Sequence, residues 1–77
     1  MADVLIQLFA DVLQVEPSAL NDNSSHNNLP QWDSLAAMHL VVAIEEKFNV
    51  SLSTKEIMIM TSIGHARKTL QGKNVKV

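Results

Sequence analysis

Apolar residues along this chain recur at helical spacing, in runs separated by polar stretches. From roughly Asp3 to Val15, the residues Val4, Leu5, Leu8, Phe9, Val12 and Leu13 fall in i, i+4 pairs. Asp3, Gln7, Asp11 and Gln14 recur on the other side, so the spacing predicts an amphipathic helix with one buried face. Asp3 suits the N-cap, and as an anion it favours the N-terminal end of the helix dipole. Glu16-Pro17 stops the helix, because the residue before proline is driven out of the α region.

A long polar stretch follows, centred on residues 21–28 (Asn-Asp-Asn-Ser-Ser-His-Asn-Asn). Such side chains bond their own backbone and favour turns. Leu20 and Leu29 are the isolated apolar residues expected to pin this loop to the rest. A structureless connection of this length usually has a functional reason. The second helix is expected from Ser34 to Phe48, with Asp33 as N-cap and Asn49 supplying the left-handed stop. Ser53-Thr54-Lys55-Glu56 fits a capping box and opens a short helix, about Thr54 to Met60, that contributes Ile57 and Met60 to the interior. A last helix starts near Thr61 or Ser62, buries Ile63, Ala66 and Leu70, and stops at Gly72, with Lys73 to Val77 frayed.

The second helix has two apolar faces. At 100° per residue, Ala37, Leu40, Val41, Ile44 and Phe48 form one stripe, the natural core face. Leu35, Met38 and Val42 lie nearly opposite, among His39, Glu45 and Glu46. Either the short helix or the long loop covers this second face, or it is a docking surface: an apolar patch rimmed by carboxylates, suited to a partner with a basic rim.

Composition narrows the class. With 77 residues the chain has room for one core, and at 47% hydrophobic and 18% charged it has enough apolar surface to fold. Two glycines and two prolines are too few for a sheet of tight turns, which leaves an all-α bundle. No cysteine is present, so disulfides, thiolate metal sites and a Cys nucleophile are excluded. A formal charge of −2 argues against nucleic acid as a partner, which requires a basic face. The start, Met-Ala-Asp-Val-Leu-Ile, lacks a leader's cationic segment. The longest apolar run, Leu35 to Ile44, is too short to span a membrane. A cytoplasmic location is expected.

Ser34 falls in the first turn of the second helix, at the end of the polar loop and beside the second apolar face. Orphan backbone N–H groups and the helix dipole make that turn favourable for a phosphate. An Asp-Ser pair at a helix start is by itself commonly a cap, and Asp-Ser-Leu is a short motif. Its setting is what gives it weight.

The whole chain resembles an acyl carrier protein: an amphipathic first helix, a long loop, Asp33-Ser34-Leu35, a recognition helix ending Ala43-Ile44-Glu45-Glu46-Lys47-Phe48, a short helix and a last one. The resemblance implies a four-helix bundle of acyl-carrier type, with three longer helices, a short third helix and a long loop between the first two, over residues 1–77. It implies that Ser34 receives 4′-phosphopantetheine from coenzyme A through a Mg²⁺-dependent phosphopantetheinyl transferase, with Asp33 as its acidic neighbour. The arm's thiol would then hold an acyl or aminoacyl group as a thioester. An acyl-loading ligase or synthetase and downstream acyl-transfer enzymes would be the other partners, and the carrier would be a monomer without catalytic residues. Leu35, Met38 and Val42 would be apolar docking contacts, and Glu45 and Glu46 acidic ones. Ala36 and His39 stand where fatty-acid carriers usually have carboxylates. With Trp32, and with the Leu-Ala-Ala-Met-His-Leu-Val-Val run, they look more like specialised stand-alone carriers of secondary-metabolite or surface-polysaccharide pathways.

Other residues carry less. His26, His39 and His65 have no i, i+4 pairing and no carboxylate cluster to complete a metal site. His39 belongs to the residue type that changes charge near neutral pH, and could alter the docking face. Met38, Met58 and Met60 either fill the core or line a pocket for an acyl chain. Arg67, Lys68, Lys73 and Lys76 read as a solvated face. The readings in competition are a carrier of fatty-acid, polyketide-like or nonribosomal aminoacyl type, and a cofactor-free helical interaction module in which Ser34 only caps.

Overall fold

The computed structural model describes residues 3–77; Met1 and Ala2, part of the stretch read as lacking a leader's cationic segment, lie outside the described residues. Four α-helices occur among the described residues: α1 (Val4–Leu13), α2 (Ser34–Phe48), α3 (Thr54–Ile59) and α4 (Ile63–Gly72). This is the all-α, acyl-carrier type of bundle, with one short helix and a long connection after the first. Phe9 and Leu5 from α1, Leu40 and Ile44 from α2, and Ile63 and Leu70 from α4 are fully buried. Each lies on the core stripe of its helix, and the three stripes meet in one interior.

Each helix starts on a side-chain cap. Asp3 Oδ1 accepts the Leu5 and Ile6 N–H groups at 3.1 and 3.2 Å. Ser53 Oγ accepts the Glu56 N–H while Glu56 Oε1 accepts the Ser53 N–H, so both halves of the capping box form. Ser62 Oγ accepts the His65 N–H at 3.1 Å and also lies 2.8 Å from His65 Nδ1.

The ends of the first and last helices depart from expectation, while α2 stops at Asn49 as expected. α1 ends at Leu13, ahead of Glu16-Pro17, because Gln14 turns left-handed at φ 58° and the Val15 N–H reaches back to the Ala10 carbonyl. α2 ends the same way, with Asn49 at φ 54° and Val50 N–H on Glu45 O. The last helix repeats it, with Asn74 at φ 67° and Val75 N–H on Leu70 O. All three form the six-to-one bond of a Schellman ending without glycine. Gly72 is therefore the final helical residue of α4 rather than its stop. The tail is not frayed either: Val75 and Val77 pack on the core, and Gln71 Nε2 donates to the Val77 carbonyl at 2.9 Å.

The long connection is tightly bonded rather than structureless. Residues Pro17–Ala19 make a short 3-10 turn, and Leu20 beyond it is buried as expected. Ser24 is buried too, its hydroxyl accepting the Asn21 N–H at 3.0 Å. The Ser24 and Asp22 carbonyls accept the Ile63 and Gly64 N–H groups at 3.0 and 2.9 Å, which satisfies the start of α4 from the loop. At Gly64 a Cβ would stand 3.0 Å from the Asp22 carbonyl oxygen, so glycine permits this approach. Trp32 is buried, with its ring centroid 5.2 Å from that of Phe9. Arg67, read as part of a solvated face, instead joins Asp3 at 2.7 Å and Asp22 at 3.0 Å. It thereby ties the α1 cap, the loop and α4 together. Lys73 likewise pairs with Glu56 at 2.9 Å.

Candidate functional site

The polar loop delivers the chain to Asp33, whose extended backbone turns it into α2. Asp33 Oδ1 accepts the Ala36 N–H at 2.9 Å, so the acidic neighbour of Ser34 is the helix cap. Ser34 is the first helical residue and is exposed. Its hydroxyl makes no hydrogen bond among the described residues, in contrast to the capping hydroxyls of Ser53 and Ser62. The capping work at this helix belongs to Asp33, which leaves the Ser34 Oγ free to react.

A cleft of about 380 Å³ opens beside Ser34. Trp32, Ala37, Ile57 and Met60 give it apolar walls, while His26 and Thr61 bring polar groups to it and Met58 stands at its α3 side. A larger groove, about 550 Å³, runs between α1 and α2 past Val4, Leu8, Val12 and Ala43. It meets α2 in its last turns, at the end away from Ser34, so the smaller cleft is the one that bears on the hydroxyl.

The expected docking residues are placed as follows. Leu35, Met38 and Val42 are all exposed, so neither α3 nor the loop covers the second apolar face of α2. Leu40, Val41 and Ile44 of the opposite stripe are buried, with Ala37 and Phe48 half-buried. Glu46 is exposed, but Glu45 is half-buried, and its Oε2 accepts the Leu52 N–H at 2.8 Å. The two glutamates therefore differ: one faces solvent, and the other holds the chain segment between α2 and α3. The methionines divide as well, with Met60 in the core and Met38 and Met58 on the surface.

Sequence reasoning placed Ile57 and Met60 inward but did not read what α3 leaves outside. Ile57-Met58-Ile59-Met60 is an unbroken apolar run over the end of a six-residue helix and its C-cap, and only part of such a run can turn inward. Ile57 and Met60 go in, leaving Met58 and Ile59 in solvent. The excess of apolar residues over inward positions was the available signal.

An exposed hydroxyl at a helix N-terminus beside a cleft of mixed polar and apolar lining fits a covalently attached phosphate-bearing arm. The first-turn N–H groups that Asp33 does not take, those of Ser34 and Leu35, would be available to a phosphate carried on the serine, and the cleft lies beside that hydroxyl. The family model for the phosphopantetheine attachment site matches residues 3–65, which takes in α1, the loop, α2, α3 and the start of α4. Carrier domains of this kind bear covalently attached 4′-phosphopantetheine, meet phosphopantetheinyl transferases and acyl-handling enzymes, and are generally not catalysts themselves. With that match over most of its length, and with the fold and the serine setting described above, the chain belongs to the phosphopantetheine-attachment-site family of carrier proteins.

Proposed function

We propose that this chain is an acyl carrier protein whose arm is esterified to Ser34 Oγ. The observation that carries the assignment is the exposed, unbonded hydroxyl of Ser34 at the first position of α2, inside the family match. When bound, the arm supplies a thiol that holds acyl or aminoacyl groups as thioesters. The chain's own residues do the rest: Asp33 fixes the start of α2, Ser34 anchors the arm, and Leu35, Met38, Val42 and Glu46 meet partner enzymes. Glu45 stands behind them as a positioning residue for the α2–α3 connection. The chain performs no chemistry alone; it works as a monomer in the cytoplasm, where coenzyme A serves as donor.

Incubation of the apo chain with coenzyme A, Mg²⁺ and a broad-specificity phosphopantetheinyl transferase tests the assignment by intact mass. One phosphopantetheinyl group should appear on the wild-type chain and none on Ser34→Ala. An unmodified wild-type chain, checked as folded, would overturn the assignment.

The pathway proposed is a specialised one, making a secondary metabolite or a surface polysaccharide, rather than primary fatty-acid synthesis. Support comes from α2, which carries no charged side chain from Ser34 to Ile44. Efficient malonyl loading and elongation by primary fatty-acid enzymes would count against this pathway.

A further inference from the structure

The turn over residues 25–28, in the loop before α2, is fixed by its own side chains. Asn28 Oδ1 accepts the Ser25 N–H at 3.0 Å, Ser25 Oγ accepts the Asn27 N–H at 3.2 Å, and Asn28 Nδ2 donates to the Asn23 carbonyl at 3.1 Å. His26 rides on this turn. Ser25 also forms an isolated antiparallel bridge with Ser62, which sets His26, one residue on, across from Thr61, one residue before Ser62. Both residues thereby come to the cleft beside Ser34, although they are far apart in sequence. His26 is exposed, and its ring makes no hydrogen bond among the described residues, whereas Nδ1 of His65 lies 2.8 Å from Ser62 Oγ.

A phosphodiester on Ser34 adds an anion to a cleft that already has one. Asp33 lines the same opening, and its carboxylate caps α2. Like charges in one small opening repel, and each needs donors. No lysine or arginine borders this cleft: Lys55 of α3 and Lys47 of α2 both lie off it. Trp32 is buried against Phe9, and the Thr61 hydroxyl has Nδ1 of His65 at 3.3 Å. His26 is therefore the one side chain lining the cleft that can bring a positive charge, and both its ring nitrogens are unengaged among the described residues. Neutral or protonated, an imidazole carries an N–H to donate to a non-bridging phosphate oxygen.

Resting on the carrier reading above, we infer that His26 is a positioning residue for the arm: its imidazole donates a hydrogen bond to the phosphate attached at Ser34 and draws the root of the arm over the cleft. The long polar loop thereby does more than connect two helices, since it holds one ring beside the attachment point.

The test compares the full chain without the arm and with it, attachment being established first by intact mass. Failure to attach would sink the carrier reading; on chains that carry the arm, the remaining readouts bear on His26 alone. Nitrogen–proton NMR of the histidine rings should show the His26 signals moving most on attachment, with those of His39 and His65 nearly still. An unmoved His26 ring, or a larger movement at His39, would overturn the inference. Phosphorus NMR of the loaded chain should show the phosphodiester signal displaced in His26→Ala and returned toward its wild-type position in His26→Gln, which keeps an N–H donor. The change in Tm on attachment should be more favourable in wild type than in His26→Ala by roughly 2–4 °C, the scale of one exposed charge-assisted bond in a domain this small. The same change in both chains, beside identical phosphorus signals, would equally refute the contact. His26 is exposed and its turn is held by Ser25 and Asn28, so both variants should fold, and the wild-type ring signals need no substitution.

Discussion

Glu45 and Glu46 are neighbours in sequence, and their replacement should have unequal consequences. Glu45 Oε2 accepts the N–H of Leu52, a residue 8% exposed, at 2.8 Å. Glu45→Ala removes the acceptor and leaves that N–H without one in a largely dry position. A bond to a charged acceptor contributes about 1.5–3 kcal/mol; because Glu45 is only half-buried, the lower end applies, about 1.5–2 kcal/mol. For a domain of this size each kcal/mol moves Tm by roughly 4–8 °C, so a fall of about 6–16 °C is expected. Glu45→Gln keeps an oxygen acceptor and loses only the charge, and should fall about halfway. Glu46→Ala, exposed and unpaired among the described residues, should stay within about 0.5 kcal/mol of wild type. Thermal and urea unfolding followed by far-UV circular dichroism gives all three values. Equal midpoints for Glu45→Ala and Glu46→Ala would refute the division of labour between the two glutamates.

Three further outcomes are expected. Ile44 is fully buried, and Ile44→Val should cost about 1 kcal/mol in urea unfolding while leaving modification of Ser34 intact. Gly64→Ala should destabilise by about 1 kcal/mol despite alanine's better helix propensity, because the Asp22 carbonyl that its Cβ would crowd is held in place by the Gly64 N–H itself; a stabilised variant would contradict this. Stability should also fall in acid. Partial burial works to raise the Asp3 pKa but is outweighed, first by the hydrogen bond from Arg67, then by the Ile6 N–H, leaving it below the usual carboxylate range. The Ser53 N–H, and then Lys73, hold Glu56 low as well. A depressed folded pKa means the unfolded chain binds more protons, so this stability is full above the unfolded pKa and is lost as pH falls through the folded one. Urea midpoints should therefore hold from pH 7 to about 5 and drop below about 4; in Arg67→Ala the drop should be shallower, from a lower starting point.

The parts of the fold that were legible in sequence are those fixed by local signals. The bounds of α2 follow from Asp33 at one end and Asn49 at the other, and α3 follows from its capping box. What escaped was governed by distant partners. Arg67 looks like any surface cation until Asp3, 64 residues away, and Asp22, 45 away, are brought to it. Glu45 looks like a docking acid until the chain beyond Phe48 returns to place the Leu52 N–H on it. Trp32 marked a lineage in sequence, yet it is a core residue against Phe9, which is how a polar loop comes to be anchored so close to Ser34. The ends of α1 and α4 were misjudged for another reason. Glycine is the expected left-handed residue, but Gln14 and Asn74 take that role despite the steric cost of a Cβ there.

At the site, the exposed hydroxyl and the second apolar face of α2 could be read from periodicity. Ile57 and Met60 turn inward as expected; what was not read is that Met58 and Ile59 are then left in solvent beside that face. The cleft beside Ser34 could not be read at all, since the loop, α2 and α3 meet to form it.

Locating the attached group residue by residue is the sharpest check. Fragmentation mass spectrometry of the phosphopantetheinylated chain can distinguish Ser34 from Ser18, Ser24, Ser25, Ser51, Ser53 and Ser62. The added mass should map to the Ser34 side chain alone; its appearance on any other hydroxyl would contradict the carrier assignment made here.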